Sequence, residues 1–175
     1  MLKIAIIIGS TRPGRKAEDV ARWVYDIAAK RSDASFEIVD IAAYNLPLLD
    51  EPIPPSMNQY EKPHTVVWAA KIATFDAFVF VTPEYNHSTS GALKNAIDFL
   101  FREWNDKAAG FVGYGSAGGV RRGGNDGTGK QGMGRRGGSP AFDGCIGDGG
   151  SSNNPRLFRN VHSGIVMCFL FSLDY

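Results

Sequence analysis

The chain has 175 residues, with 19 basic against 18 acidic side chains and 43% apolar residues. That balance excludes a strongly basic nucleic-acid binder and an acidic solvating chain as whole-protein classes, and the length fits one globular domain with a single core. Two cysteines, Cys145 and Cys168, are too few for a disulfide framework and lack metal-site spacing. The first apolar run, Ile4 to Ile8, is far shorter than a signal-peptide core, and no stretch approaches the roughly 18 apolar residues of a membrane span. A soluble cytoplasmic protein is expected.

In chain order, Lys3 to Ile8 is a continuous β-branched run, as expected of a strand buried on both faces. Val20, Trp23, Val24 and Ile27 then recur at helical spacing and predict an amphipathic helix from about Lys16 to Lys30. Phe36 to Asp40 reads as a second strand. Leu46 to Pro55 holds four of the nine prolines and reads as a stiff loop. Thr65 to Thr74 is helical, with Val66, Ala69, Ala70 and Ala73 on one face. Ala77 to Thr82 is a third strand, Gly91 to Phe101 a helix with Leu93, Ala96, Ile97 and Leu100 in register, and Ala108 to Gly113 a fourth strand. Alternating strands and helices imply a parallel sheet covered on both faces. In a doubly wound sheet ordered 2-1-3-4-5, the loops after strands one, three and four converge on one crevice at the switch point, where ligands bind.

Glycine divides the chain. Of 21 glycines, 16 fall in the 38 residues from Gly113 to Gly150. Between Arg121 and Arg156 the sizeable apolar side chains are Met133, Phe142, Cys145 and Ile146, too few to offset the ordering entropy of such a segment. The expected organisation is an α/β domain over residues 1–120, a disordered or irregular glycine-rich segment over 121–156 and an apolar tail over 157–175, of which Gly164 to Leu173 could add a strand.

The first loop, Gly9-Ser10-Thr11-Arg12-Pro13-Gly14-Arg15-Lys16, runs into a helix N-terminus, whose free amides and dipole favour an anion; Ser10, Thr11, Arg12 and Arg15 add donors. It has neither the Walker ending nor the Gly-x-Gly-x-x-Gly dinucleotide spacing. Alone it leaves phosphate binding and a capped turn with solvated arginines both open. The second loop, Thr82-Pro83-Glu84-Tyr85-Asn86-His87-Ser88, offers a flat face at Tyr85 and polar groups at Asn86 for a heteroaromatic edge. Glu84 reads as a ligand-loop group or a helix-side ion pair. His87 has no neighbouring nucleophile arrangement, so a solvent-facing histidine is the commoner reading. The third, Gly113-Tyr114-Gly115-Ser116-Ala117-Gly118-Gly119-Val120-Arg121, lets backbone approach a planar ligand. His64 and His162 sit beside no carboxylate or cysteine cluster, which argues against a metal site.

Together these segments resemble the NADPH-dependent FMN reductase family of the flavodoxin-like superfamily. The likeness rests on Gly9-Ser10-Thr11-Arg12, on Pro83-Glu84-Tyr85-Asn86 with Ser88 and Gly91-x-Leu93-Lys94-Asn95-Ala96-Ile97-Asp98, and on Ser116-x-Gly118-Gly119, within residues 1–121. It implies one FMN per subunit: Ser10, Thr11, Arg12 and Arg15 around its phosphate, Pro83, Glu84, Tyr85, Asn86 and Ser88 along the ring, and Ser116, Gly118 and Gly119 closing the other side. It also implies NADPH or NADH as hydride donor, a quinone, azo, metal-oxyanion or free-flavin acceptor, no dedicated acid or base, and a homodimer or tetramer.

After Arg121 the family pattern stops, where relatives continue with a helix, a fifth strand and a final helix. Read one base later, codons for Arg122-Gly123-Gly124-Asn125 can spell Ala-Val-Glu, which family members often carry there, so a shifted reading frame is one hypothesis. Sequencing the gene and finding no frame that restores the helix would remove it. Loss of those elements should expose the apolar side of strand four. Two other functions compete. One is an FMN-binding electron carrier without nicotinamide turnover. The other is a nucleic-acid-binding tail, suggested by five basic residues against Asp126 and two Arg-Gly-Gly triplets between Arg121 and Gly138, but disfavoured by the lack of interleaved aromatics.

Overall fold

A computed structural model describes residues 1–86 and 88–115, and the backbone of 165–172. β1 spans Leu2–Ile8, and its last four residues are all buried, as a two-sided strand requires. β2, Ala34–Asp40, runs parallel to β1 with Ile8 opposite Asp40, and begins two residues before the expected start. β3, Ala77–Pro83, lies on the other side of β1, and β4, Ala108–Tyr114, lies beyond β3; all these pairings are parallel. The four parallel strands thus take the expected order 2-1-3-4. The outer position departs from a wholly parallel sheet. There Ile165–Ser172 (β5) runs antiparallel to β4, with an irregularity between Ala109 and Gly110.

Helix α1 spans Ala17–Ala28, and the face it buries is not the expected one. Ala17, Ala21 and Val24 contact the sheet, while Trp23 and Ile27 are 37% and 46% exposed. Alanines at i and i+4 let the helix approach the strands closely, so the small side chains, and not the bulky ones, define the seam. The second helix, α2 at Pro63–Ala73, shows the same kind of shift. It buries Thr65, Trp68, Ala69 and Ile72, while Val66 is half exposed. Trp68 is the anchor: its indole N–H donates to the Ala96 carbonyl at 2.8 Å, and its ring meets Tyr44 and Trp104 edge-on. Pro63 at the first turn needs no amide partner, and the Glu51 carboxylate accepts the Glu61 and Lys62 amides beside it.

α3, Gly91–Asp98, buries Leu93 and Ala96 and stops three residues before the expected end; Arg102–Trp104 follows as a 3-10 turn. Two cores result, one on each sheet face. One is aromatic, built on Trp68, Phe75, Phe78, Phe80, Phe99 and Trp104 with α2 and α3. The other joins α1 to Ile6, Ile8, Val81 and Val112. The expected exposure of strand four is not found: Ala109 and Val112 are 2% and 1% exposed. The segment 121–156 lies outside the described residues. No helix among the described residues is long and apolar enough to cross a membrane.

Candidate cofactor site at the switch point

β1 and β3 are neighbours while their continuing helices lie on opposite faces, so the loops leaving them open a crevice at their carboxyl ends. The first loop begins under constraint. The Gly9 amide donates to the Val81 carbonyl at 2.8 Å. A Cβ on Gly9 would lie 2.8 Å from both that carbonyl oxygen and Leu93 Cδ2, so only glycine allows the close approach. The Ser90 hydroxyl donates to the Gly9 carbonyl and accepts the Leu93 amide at 3.0 Å, which caps α3 and ties its start to the first loop. Ser90 and Ser10 are buried, at 3% and 1% exposure.

Beyond Ser10 the chain turns. The Arg15 amide bonds the Arg12 carbonyl at 3.1 Å, with Gly14 at φ +68° in the left-handed region. The Thr11 amide and the Arg12 guanidinium have no partner among the described residues. α1 then starts at Ala17 with no side-chain cap, and its first-turn amides are left for another acceptor. Arg15 differs: its guanidinium holds Asp40, Glu18 and the Ser10 carbonyl. Burial opposes its charge, but the bonds to Glu18 and Asp40 outweigh that and raise its pKa above the ordinary arginine value.

The second loop is closed by local bonds. Tyr85 and Ser88 exchange backbone hydrogen bonds at 2.9 and 3.0 Å, with Asn86 at φ +50° between them. Thr82 and Thr89 share a hydroxyl hydrogen bond of 2.6 Å at its base. Pro83 is buried; Glu84 is half-buried; Tyr85, Asn86 and Ser88 are exposed. The Glu84 amide bonds the Tyr114 carbonyl at 2.9 Å, which brings the end of β4 against this loop. Burial pushes the Tyr114 phenol up to about 12 and the Tyr85 charge adds to the rise, while Ser10 and the Arg15 charge work against it. Tyr114 therefore ties the end of β4 to the loop after β3. Ser116, Gly118 and Gly119, and also His87, lie outside the described residues.

The structure thus brings Ser10, Thr11, Arg12 and Arg15 to one loop and Pro83, Glu84, Tyr85, Asn86 and Ser88 to the next. Motif reading placed Gly9 and Tyr114 in the loops without giving either a role, and it missed Asp40 and Ser90. For Ser90 a signal was present, since a serine before Gly91-Ala92-Leu93 is an N-cap. Asp40, a charge closing a buried strand, was a weaker one. Next to the first loop, a cavity of about 390 Å³ lies between Thr11, the segment Ile41–Leu46 and the Ala92, Asn95 and Ala96 face of α3. The Asn95 amide forms its rim by donating to the Pro47 carbonyl at 2.6 Å and accepting from the Leu49 amide at 3.0 Å. The loop folds back so that the His64 ring lies 2.9 Å from a single carboxylate, that of Asp50. Among the described residues no three His, Cys, Asp or Glu side chains converge on a metal position.

A flavodoxin-like sheet with a polar, donor-rich loop at its switch point defines a class, and comparison with known proteins places the chain within it. The model of the NADPH-dependent FMN reductase family matches residues 2–126. The chain belongs to that family. It is 42% identical over 127 residues to the NAD(P)H-dependent FMN reductase ntnL of a Nectria species, which covers 69% of this chain and 63% of that protein. An NAD(P)H-dependent FMN reductase of Schizosaccharomyces pombe is also 42% identical, over 119 residues, covering 67% and 60% of the two chains. Among solved structures, the flavoenzyme NAD(P)H:(acceptor) oxidoreductase FerB of Paracoccus denitrificans superposes with a TM-score of 0.55 at 25% identity, covering 68% of this chain and 65% of that one. The chain spans less than two thirds of the length of these relatives.

Proposed function

We propose that the chain binds FMN in the crevice beyond β1, β3 and β4 and, with it, acts as an NAD(P)H-dependent oxidoreductase toward a small-molecule acceptor of the quinone, azo, metal-oxyanion or free-flavin type. The observation that carries this reading is the donor set of the first loop. A Thr11 amide and an Arg12 guanidinium without a partner among the described residues, and the uncapped start of α1, lie within one loop–helix unit. Such a set fits a phosphate monoester. Tyr85 and Asn86, exposed on the adjoining loop, supply a flat face and an amide for the ring system. When bound, FMN supplies the hydride chemistry by accepting a hydride from the nicotinamide and passing reducing equivalents on. The chain's own part is to hold the phosphate, orient the ring and exclude water from one of its faces. Residues 1–120 are proposed as the flavin domain, with 121–156 and 157–175 as appended segments, in a cytoplasmic homodimer or tetramer.

The test is the visible spectrum of the purified full chain after FMN addition and removal of the excess, followed by NADPH and NADH oxidation with a quinone. Retained flavin in a one-to-one ratio with nucleotide oxidation supports the proposal. Retained flavin without oxidation indicates an electron carrier, and soluble protein that retains none leaves family membership without the activity.

A further inference from the structure

The first loop carries two arginines three residues apart, and the structure uses them in opposite ways. A guanidinium has five N–H donors and no acceptor. All five of Arg15 are engaged within the chain. Nε donates to Glu18 Oε1 at 2.9 Å, Nη1 to Asp40 Oδ1 at 3.1 Å and to the Ser10 carbonyl, and Nη2 to Glu18 Oε1 at 2.7 Å and Asp40 Oδ2 at 2.5 Å. Its side chain is 12% exposed. Arg12 holds no described residue. One guanidinium against two carboxylates also leaves the cluster with a net negative charge, a poor setting for direct contact with a dianion.

We propose that Arg15 is a positioning residue, and not a ligand of the flavin phosphate: braced by Asp40 at the end of β2, it fixes the Ser10–Thr11 peptide so that the Thr11 amide is presented to the phosphate. The peptide unit is rigid and trans, so its carbonyl and its N–H point in opposite directions. Holding the Ser10 carbonyl on the Arg15 side therefore directs the Thr11 N–H away from it, and that N–H has no partner among the described residues. Asp40 sets the position of the brace because it sits opposite Ile8 in the β1–β2 ladder and is itself held by accepting the Ala42 amide at 3.0 Å. This rests on the FMN reading above.

The test uses the full chain as wild type, Arg15→Gln and Asp40→Asn, the last retaining an oxygen for the Ala42 amide. FMN and riboflavin affinities are measured by quenching of flavin fluorescence, and amide hydrogen exchange over residues 10–16 is measured without flavin. Arg15→Gln should weaken FMN about tenfold, the equivalent of one charge-assisted hydrogen bond, and riboflavin less than about twofold. Asp40→Asn should weaken FMN as well, although it removes a negative charge, and both variants should exchange faster at the amides of positions 12 and 15, which the loop's own hydrogen bonds hold. Equal losses for FMN and riboflavin would assign Arg15 to general stability and overturn the proposal. So would an Asp40→Asn variant that binds FMN as well as or better than wild type, since a freed Arg15 would then be reaching the phosphate. Unchanged exchange in both variants would overturn it too. If wild type binds neither flavin and the exchange difference persists, the brace stands and the FMN reading fails.

Discussion

The loops after β1 and β3 lie side by side at the switch point but are built in different ways. The residues that fix Gly9–Lys16 come from elsewhere: Val81 on β3, Ser90 before α3 and Asp40 at the end of β2. Beyond the backbone bond from Glu84 to Tyr114, the loop Thr82–Thr89 is closed by its own residues, through the Tyr85–Ser88 backbone pair and the Thr82–Thr89 hydroxyls. A loop braced from several elements is rigid only while those elements stay in place, whereas a self-closed turn depends on the φ angles its residues accept. Substitutions in the first should therefore damage the fold as well as the site, and those in the second should act locally.

The largest effect is expected where the two loops meet the core. Gly9→Ala would put a methyl 2.8 Å from Leu93 Cδ2 and 2.8 Å from the Val81 carbonyl oxygen. Leu93 can change rotamer; the carbonyl cannot retreat, because it belongs to the β3 ladder and accepts the Gly9 amide. The cost should be about 2–3 kcal/mol in urea unfolding, the upper part of the range for overpacking. A loss below about 1 kcal/mol would mean that the first loop can shift as a unit and is less braced than the comparison holds.

Ser90→Ala comes next, at about 1–2 kcal/mol, because it removes an N-cap and leaves the Gly9 carbonyl without its buried donor. If that loss fell entirely on α3, hydrogen exchange would rise from Leu93 onward and stay unchanged at residues 9–12. The bracing argument requires it to rise at both.

These dependencies explain what could be read in advance. The order of the four parallel strands, the neighbouring loops after β1 and β3 and the family motif were legible, because strand identity follows from continuous β-branched runs such as Ile4–Ile8 and the motif is local in sequence. The helix faces were less so. Periodicity alone gave Val20, Trp23, Val24 and Ile27 as the α1 face, but sheet packing selects the face that allows closest approach, and Ala17, Ala21 and Val24 do that better. In α2 the choice went to Trp68 and Ile72 because the indole finds both a carbonyl partner and two aromatic neighbours. Within the site, Asp40 and Ser90 escaped notice because each reaches Arg15 or Gly9 across the fold. A motif scan sees neighbours in sequence and misses such braces.

The smallest effect tests the self-closed turn. Asn86 holds φ +50°, a left-handed conformation that asparagine tolerates, glycine adopts freely and alanine resists. Asn86→Ala should cost about 1 kcal/mol, and Asn86→Gly should lie within about 0.5 kcal/mol of wild type, the usual range for a surface change without a lost contact. Equal stabilities for the two variants would show that the turn does not depend on the left-handed residue. The same pair separates backbone from side chain at the flavin site, since glycine keeps the turn and removes the amide. If Asn86→Gly retains FMN affinity while Asn86→Ala loses it, the residue serves the ring by shaping the loop that carries Tyr85. If both weaken FMN alike, the side-chain amide itself contacts the ring, and the second loop is then a ligand surface in its own right.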